Sequence, residues 1–178
     1  MIKNENELTE EIETHPFKAF IPENVTAIIV GSFPGREVTH KVLSEDEWFY
    51  GSKRNQFWKI ISGAYETELI TRKQKQDLFA KHGIGIVDIF LRIKRKGNNN
   101  MDSNLEVVEF NDKAIATILQ NPNVKSIFFT SKFVEREFMK VFPEMKNREC
   151  ECLPSPSPRY ARMSLQEKIN YYKDKLPG

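Results

Sequence analysis

Ala27-Ile28-Ile29-Val30 runs without a polar break into Gly31-Ser32-Phe33-Pro34-Gly35. A short apolar run stopped by turn residues is the pattern of a strand buried on both faces, the form that strands take in a parallel sheet. A chain holding such a strand must supply further strands beside it and helices above and below. In open parallel sheets the ligand crevice lies beyond the carboxyl ends of the strands. The loop from Gly31 to Gly35 is therefore the first place expected to carry a site.

The rest of the chain supplies those partners. Ile84–Phe90, Val124–Thr130 and Glu149–Leu153 read as three more strands. Helices are expected from Asn55 or Gln56 to Ser62 and over 72–81, with His82-Gly83 as a stop. Others are expected over 112–120 with Asn111 as N-cap, over 133–142 closed by Pro143, and to Leu176 from the capping box Ser164-Leu165-Gln166-Glu167. Residues 1–14 read as an acidic, partly helical arm, and 15–22 as a loop. The basic run Arg92, Lys94, Arg95, Lys96 leads into a surface loop at 97–100. Strands alternating with helices predict an α/β fold: a three-layer α/β/α sandwich around a four-stranded parallel sheet. The expectation is one domain over 1–178, with 1–20 as an N-terminal arm.

With 178 residues, 39% of them hydrophobic, the chain can bury a real core, and the net charge of +2 is compatible with a nucleic-acid partner without requiring one. No apolar run approaches membrane-spanning length, and the polar, acidic start is unlike a signal or transit peptide, so a cytoplasmic protein is expected. Cys150 and Cys152, two apart on a strand, share a face and are poorly placed to form a disulfide. Two thiols cannot by themselves hold a four-cysteine cluster or zinc ribbon, and His40 and His82 pair with nothing at metal-ligand spacing. No metal, iron–sulfur cluster or other cofactor is expected.

Five stretches in order stand out: Gly31-Ser32-Phe33-Pro34-Gly35; Phe49-Tyr50-Gly51 with Asn55-Gln56-Phe57-Trp58; Gly85-Ile86-Val87-Asp88-Ile89; Leu153-Pro154-Ser155-Pro156-Ser157-Pro158; and Ala161-Arg162-Met163-Ser164-Leu165-Gln166-Glu167-Lys168. Together, over residues 25–176, they resemble the uracil-DNA glycosylase superfamily. That superfamily pairs a Gly-x-x-Pro-Gly/Tyr motif with a late His/Asn-Pro-Ser motif. Its mismatch-specific branch carries a catalytic Asn where this chain has Phe33. Other branches carry a catalytic His where it has Leu153. Neither side chain transfers protons or positions water. The branch lacking both groups, the hypoxanthine-DNA (deoxyinosine) glycosylases, is the most similar. The resemblance implies a glycosylase that releases hypoxanthine, or else uracil, from DNA; no lysine stands out as a Schiff-base nucleophile, so a monofunctional enzyme is expected, acting as a monomer. An inactive nucleic-acid-binding relative is the alternative. A small nucleotide-binding enzyme is weaker, since the first loop lacks P-loop and Gly-x-Gly-x-x-Gly spacing.

The residues carry this chemistry in a consistent way. Asn55, beside a helix start and among aromatics, is the candidate to hold the attacking water, a role the resemblance also implies; capping the helix is the competing reading. Asp88, a carboxylate inside an apolar run, is costly unless paired. It would accept a hydrogen bond from a flipped base or activate water, or it would pair with Arg92 or Lys94. Phe33 and Tyr50 are stacking faces. Gly31, Ser32, Pro34 and Gly35 would complete a base pocket by close backbone approach. Ser155, Ser157, Arg159, Tyr160 and Arg162 would meet DNA, with Arg159 or Tyr160 wedging into the gap left by a flipped base. Arg92 and Lys94 would grip phosphate, or else form a solvated charge run.

Overall fold

All five residues of the strand β2 (Ala27–Gly31) are buried, and they alternate between two cores. Ala27 and Ile29 point to one side with Phe57, Ile60 and Phe79; Ile28 and Val30 point to the other with Ile115 and Phe138. Period-two alternation with both faces apolar is what a central parallel strand demands. The computed structural model describes residues 11–97 and 99–178. Its main sheet has the order β3-β2-β6-β7 (Ile84–Asp88, Ala27–Gly31, Ser126–Phe129, Glu149–Cys152), parallel throughout. Helices α2 (Phe57–Ala64), α3 (Arg72–Lys81) and α6 (Leu165–Lys175) contribute to one core, and α4 (Asp112–Leu119) and α5 (Lys132–Val141) to the other. This is the expected three-layer α/β/α sandwich on a four-stranded parallel sheet.

The capping boxes at α3 (Thr71 with Gln74) and α6 (Ser164 with Glu167) close as reciprocal bonds. At α4, Asn111 sits at the N-cap, but its side chain does not cap; Nδ2 donates instead to the Asp88 carbonyl at 3.1 Å. A one-turn helix, α1 (Arg36–Thr39), follows the Gly31–Gly35 loop directly.

A second sheet was not expected from the sequence. It is antiparallel, in the order β1-β4-β5 (Ile12–Thr14, Phe90–Arg95, Leu105–Phe110). The strand expected over 84–90 ends at Asp88, and the chain crosses to this sheet at Ile89, whose N–H donates to the Gly31 carbonyl at 2.8 Å. Residues 12–14 of the arm are strand rather than helix, and residues 1–10 of that arm lie outside the described residues. The basic run is mostly strand rather than loop. Phe90 and Ile93 face inward, while Arg92 pairs with Glu109 at 3.5 Å and Lys96 with Glu106 at 3.1 Å. Phe90 and Ile93 stand three apart, and an irregularity in the register with β5 between them lets both face inward; Glu106 and Glu109, also three apart, supply the complementary charges.

Ile29, 0% exposed, and Val42, 97% exposed, give a direct check on this core. Ile29→Ala should cost about 2–5 kcal/mol in urea denaturation. Val42→Ala should stay within about 0.5 kcal/mol.

Candidate active site

A cleft of about 730 Å³ opens beyond the carboxyl ends of β2, β3 and β6. Its walls are the loop Ser32–Gly35, the turn around Tyr50–Asn55, the loop Asn100–Ser103, and Ser155–Tyr160. Asp88 and Thr130, at the ends of β3 and β6, line it too, as do Glu37, Val38 and Ser131.

The deepest part is built around a missing side chain. Gly31 stands in register with Asp88 across β2 and β3. A Cβ on Gly31 would lie 2.2 Å from the Tyr50 hydroxyl and 2.3 Å from Asp88 Oδ1, so no larger residue fits. Tyr50 reaches this point from a left-handed backbone (φ 57°), an uncommon conformation for an aromatic residue. Its ring stacks on Phe57 at 4.1 Å, and its hydroxyl donates to Thr130 Oγ1 at 3.0 Å. Burial and the Asp88 charge hold the Tyr50 pKa well above the ordinary tyrosine range, so the hydroxyl stays protonated.

Asp88 is 5% exposed. Its partner is neither Arg92 nor Lys94 but His15, whose Nε2 lies 2.8 Å from Oδ2. The other oxygen, Oδ1, is buried and has no hydrogen-bond partner among the described residues. A buried acceptor left unpaired costs about 1–3 kcal/mol, which a ligand N–H can recover. His15 is a functional candidate that sequence reasoning missed. The only local signal was a histidine set in His15-Pro16-Phe17, which does not name a partner 73 residues away.

Asp102 was also missed. It arrives from the turn before β5, lines the cleft, and accepts from Ser32 Oγ at 2.8 Å. Burial, with the Asp88 charge adding to it, raises its pKa above the usual aspartate value.

Asn55 lines the cleft, and its Oδ1 also accepts from the Phe57 N–H at 2.8 Å, capping α2. The two readings of this residue therefore coexist. A carbonyl oxygen has two lone pairs, so the cap fixes the oxygen in place and leaves one pair available. Next to it, Gln56 ties the helix start to the proline-rich loop: its N–H donates to the Pro156 carbonyl at 2.9 Å. Lys168 of α6, 1% exposed, donates to Gln56 Oε1 at 2.9 Å and to the Ser157 carbonyl at 3.1 Å. One turn on, the Tyr172 hydroxyl donates to the Pro154 carbonyl at 2.9 Å. Helix α6 is thus the back plate of the loop.

The remaining expected residues divide. Ser32, Phe33, Pro34, Gly35, Ser155, Ser157, Arg159 and Tyr160 all line the cleft. The oxygens of Ser155 and Ser157 each accept a loop N–H at 3.3 Å, which leaves their O–H groups to donate outward. Arg162 is exposed and does not line the cleft. Arg92 and Lys94 lie on β4 in the antiparallel sheet and do not line it either; Arg54 does. From the basic run, Arg95 matters instead, as an internal brace. It donates to Glu13 at 2.9 and 3.2 Å and to the Pro34 carbonyl at 3.0 Å, tying β1 to the first loop. Burial works against the Glu13 carboxylate, but the bonds from Arg95 and Thr39 outweigh it and hold the pKa below the usual value.

Comparison with known proteins gives the fold and the family. The solution NMR structure of a protein from Methanosarcina acetivorans, provisionally named a uracil DNA glycosylase, superposes with a TM-score of 0.70 at 25% identity, covering 92% of this chain and 98% of that one. No curated protein sequence matches this chain. The family model of the uracil DNA glycosylase superfamily matches residues 18–176, a span that takes in the main sheet and the lining of the cleft. The chain belongs to the uracil DNA glycosylase superfamily.

Proposed function

We propose that the protein is a monofunctional DNA glycosylase that hydrolyses the N-glycosidic bond of a deaminated base, hypoxanthine first and uracil second. The observation that carries this reading is Asp88, which lines the cleft and whose buried Oδ1 has no hydrogen-bond partner among the described residues. Deamination turns a ring nitrogen that accepts (N1 of adenine, N3 of cytosine) into one that donates. A fixed carboxylate oxygen accepts from the deaminated base. Against the parent base it would leave two acceptors facing each other, and an unpaired buried polar group is how sites reject analogues strongly.

A base inside a duplex must be flipped out to reach such a pocket. Phe33 and the free side of Tyr50 offer stacking surfaces worth about 1–3 kcal/mol per base. Cleavage passes through an oxocarbenium-like state, as in glycoside hydrolysis generally. Asn55 Oδ1, immobilised by capping α2, supports a role in holding the attacking water. The cleft lining among the described residues contains no lysine, which favours water over a Schiff-base amine as nucleophile. Arg54, Arg159 and the outward O–H groups of Ser155 and Ser157 would meet phosphates, while Arg159 or Tyr160 fills the vacated stack.

The reading is tested on duplexes carrying a single deoxyinosine, deoxyuridine or deoxyxanthosine, assayed for alkali-labile sites. Deoxyinosine should be cut fastest. Folded protein that binds these duplexes yet produces no such site on any of them would point to the inactive binding module instead. Asn55→Ser keeps an N-capping oxygen but removes the amide. It should lower single-turnover release about 100-fold while leaving the urea midpoint near that of the native protein. Asp88→Asn keeps an acceptor for His15 and presents an amide N–H where Oδ1 stood. Release of hypoxanthine should fall about 100-fold or more.

A further inference from the structure

We infer that His15 is a positioning residue that fixes Asp88 as a one-way hydrogen-bond acceptor, and that it thereby sets the preference for bases carrying a ring N–H. The inference rests on the glycosylase reading above. His15 precedes the 18–176 span matched by the family model, so that match does not bear on it.

The geometry leaves His15 one tautomer. Its Nδ1 accepts from the Phe17 backbone N–H at 3.1 Å, so that nitrogen carries no proton. The proton is on Nε2, which lies 2.8 Å from Asp88 Oδ2 and donates to it. A proton on Oδ2 would collide with this donor. A proton on Oδ1 would be buried without an acceptor among the described residues. His15 thereby holds Oδ2 as an acceptor, and Oδ1 keeps its lone pairs without a donor among the described residues.

The imidazole is held rigidly enough to do this. Its side chain is 1% exposed, and Phe17, Phe33 and Phe49 pack around it with ring centroids 6.0, 5.5 and 5.4 Å away. The backbone is anchored by the His15 N–H to the Leu91 carbonyl at 2.9 Å and by pairing of β1 with β4. The Asp88 main chain is fixed by Asn111.

The charged and titratable surroundings make the donor matter. Asp88 faces His15 from the N-terminal segment and the Tyr50 hydroxyl from the loop before α2. Asp102 acts on it from the turn before β5, and the Arg95 charge of β4 acts on Asp102. Among the described residues His15 supplies the side-chain hydrogen bond that holds the Asp88 carboxylate in orientation. Without that donor the carboxylate is free to turn and no longer presents one oxygen as a fixed acceptor, so discrimination would narrow.

The experiment compares wild type with His15→Gln, His15→Asn and His15→Leu, measuring single-turnover release from deoxyinosine and deoxyadenosine duplexes. Gln carries its amide nitrogen at the reach of Nε2; Asn carries it at the reach of Nδ1. His15→Gln should keep the deoxyinosine preference and a rate within about threefold of wild type. His15→Leu and His15→Asn, which leave Asp88 Oδ2 without its donor, should narrow the deoxyinosine preference about tenfold. A preference unchanged in the Leu and Asn variants overturns the inference. If those two variants do not fold, long-range nitrogen-15 NMR of the wild-type imidazole decides: a protonated Nε2 with a bare Nδ1 supports the inference, and the opposite tautomer overturns it. A wild type that releases no deaminated base rejects the glycosylase reading, while the tautomer measurement still judges the His15–Asp88 pair.

Discussion

Gly31 lets two groups share a space that a single methyl would occupy. Because it carries no Cβ, the Tyr50 hydroxyl and the Asp88 carboxylate both close over the end of β2. Parallel pairing sets Gly31 opposite Asp88, and the next strand places Thr130 where it accepts from Tyr50. The left-handed backbone at Tyr50 is tolerated because stacking on Phe57 and the Thr130 bond both hold the ring there. A Gly31 substituent would displace the carboxylate and the phenol together, so the acceptor at the cleft depends on one absent side chain.

The antiparallel sheet gives the site a second support. Main-sheet strands bring Asp88 to the cleft, but the groups that orient it and brace the first loop come from β1, β4 and their connections. Glu13 and His15 flank Thr14 at the end of β1; one anchors Arg95, which holds the Pro34 carbonyl, and the other holds Asp88. On the opposite wall α6 does comparable work through Lys168 and Tyr172. In both cases a side chain behind the cleft bonds to backbone or carboxylate in front of it. Precise sites are built in this way, with the contacting groups locked from behind.

Much of the cleft lining was legible from composition and turn chemistry. Phe33, Asn55, Asp88 and the Ser155–Tyr160 loop stand at strand ends or helix starts, and those positions converge in any parallel sheet. Arg92 and Lys94 were misplaced because a charge run reads as surface from its residue types. Phe90 and Ile93, brought to one face by an irregularity in the register with β5, and the answering charges of Glu106 and Glu109 instead make it a strand. Asn111 was read as a cap, since the residue type suits one, but the Asp88 carbonyl nearby claims its amide. Local propensity yields where a tertiary partner offers a better bond.

What the sequence determined by itself is the set of elements and their layering. Four apolar runs, their turn signals and the capping box before α6 depend on contacts within a few residues, so they can be read in one dimension. What only the tertiary structure decided is which groups meet. Asp88 finds His15 across 73 residues and Asp102 finds Ser32 across 70, through the register of β1 on β4 and the turn before β5. No local pattern records such pairs, because their energy comes from burial and charge compensation that exist only once both sheets have formed.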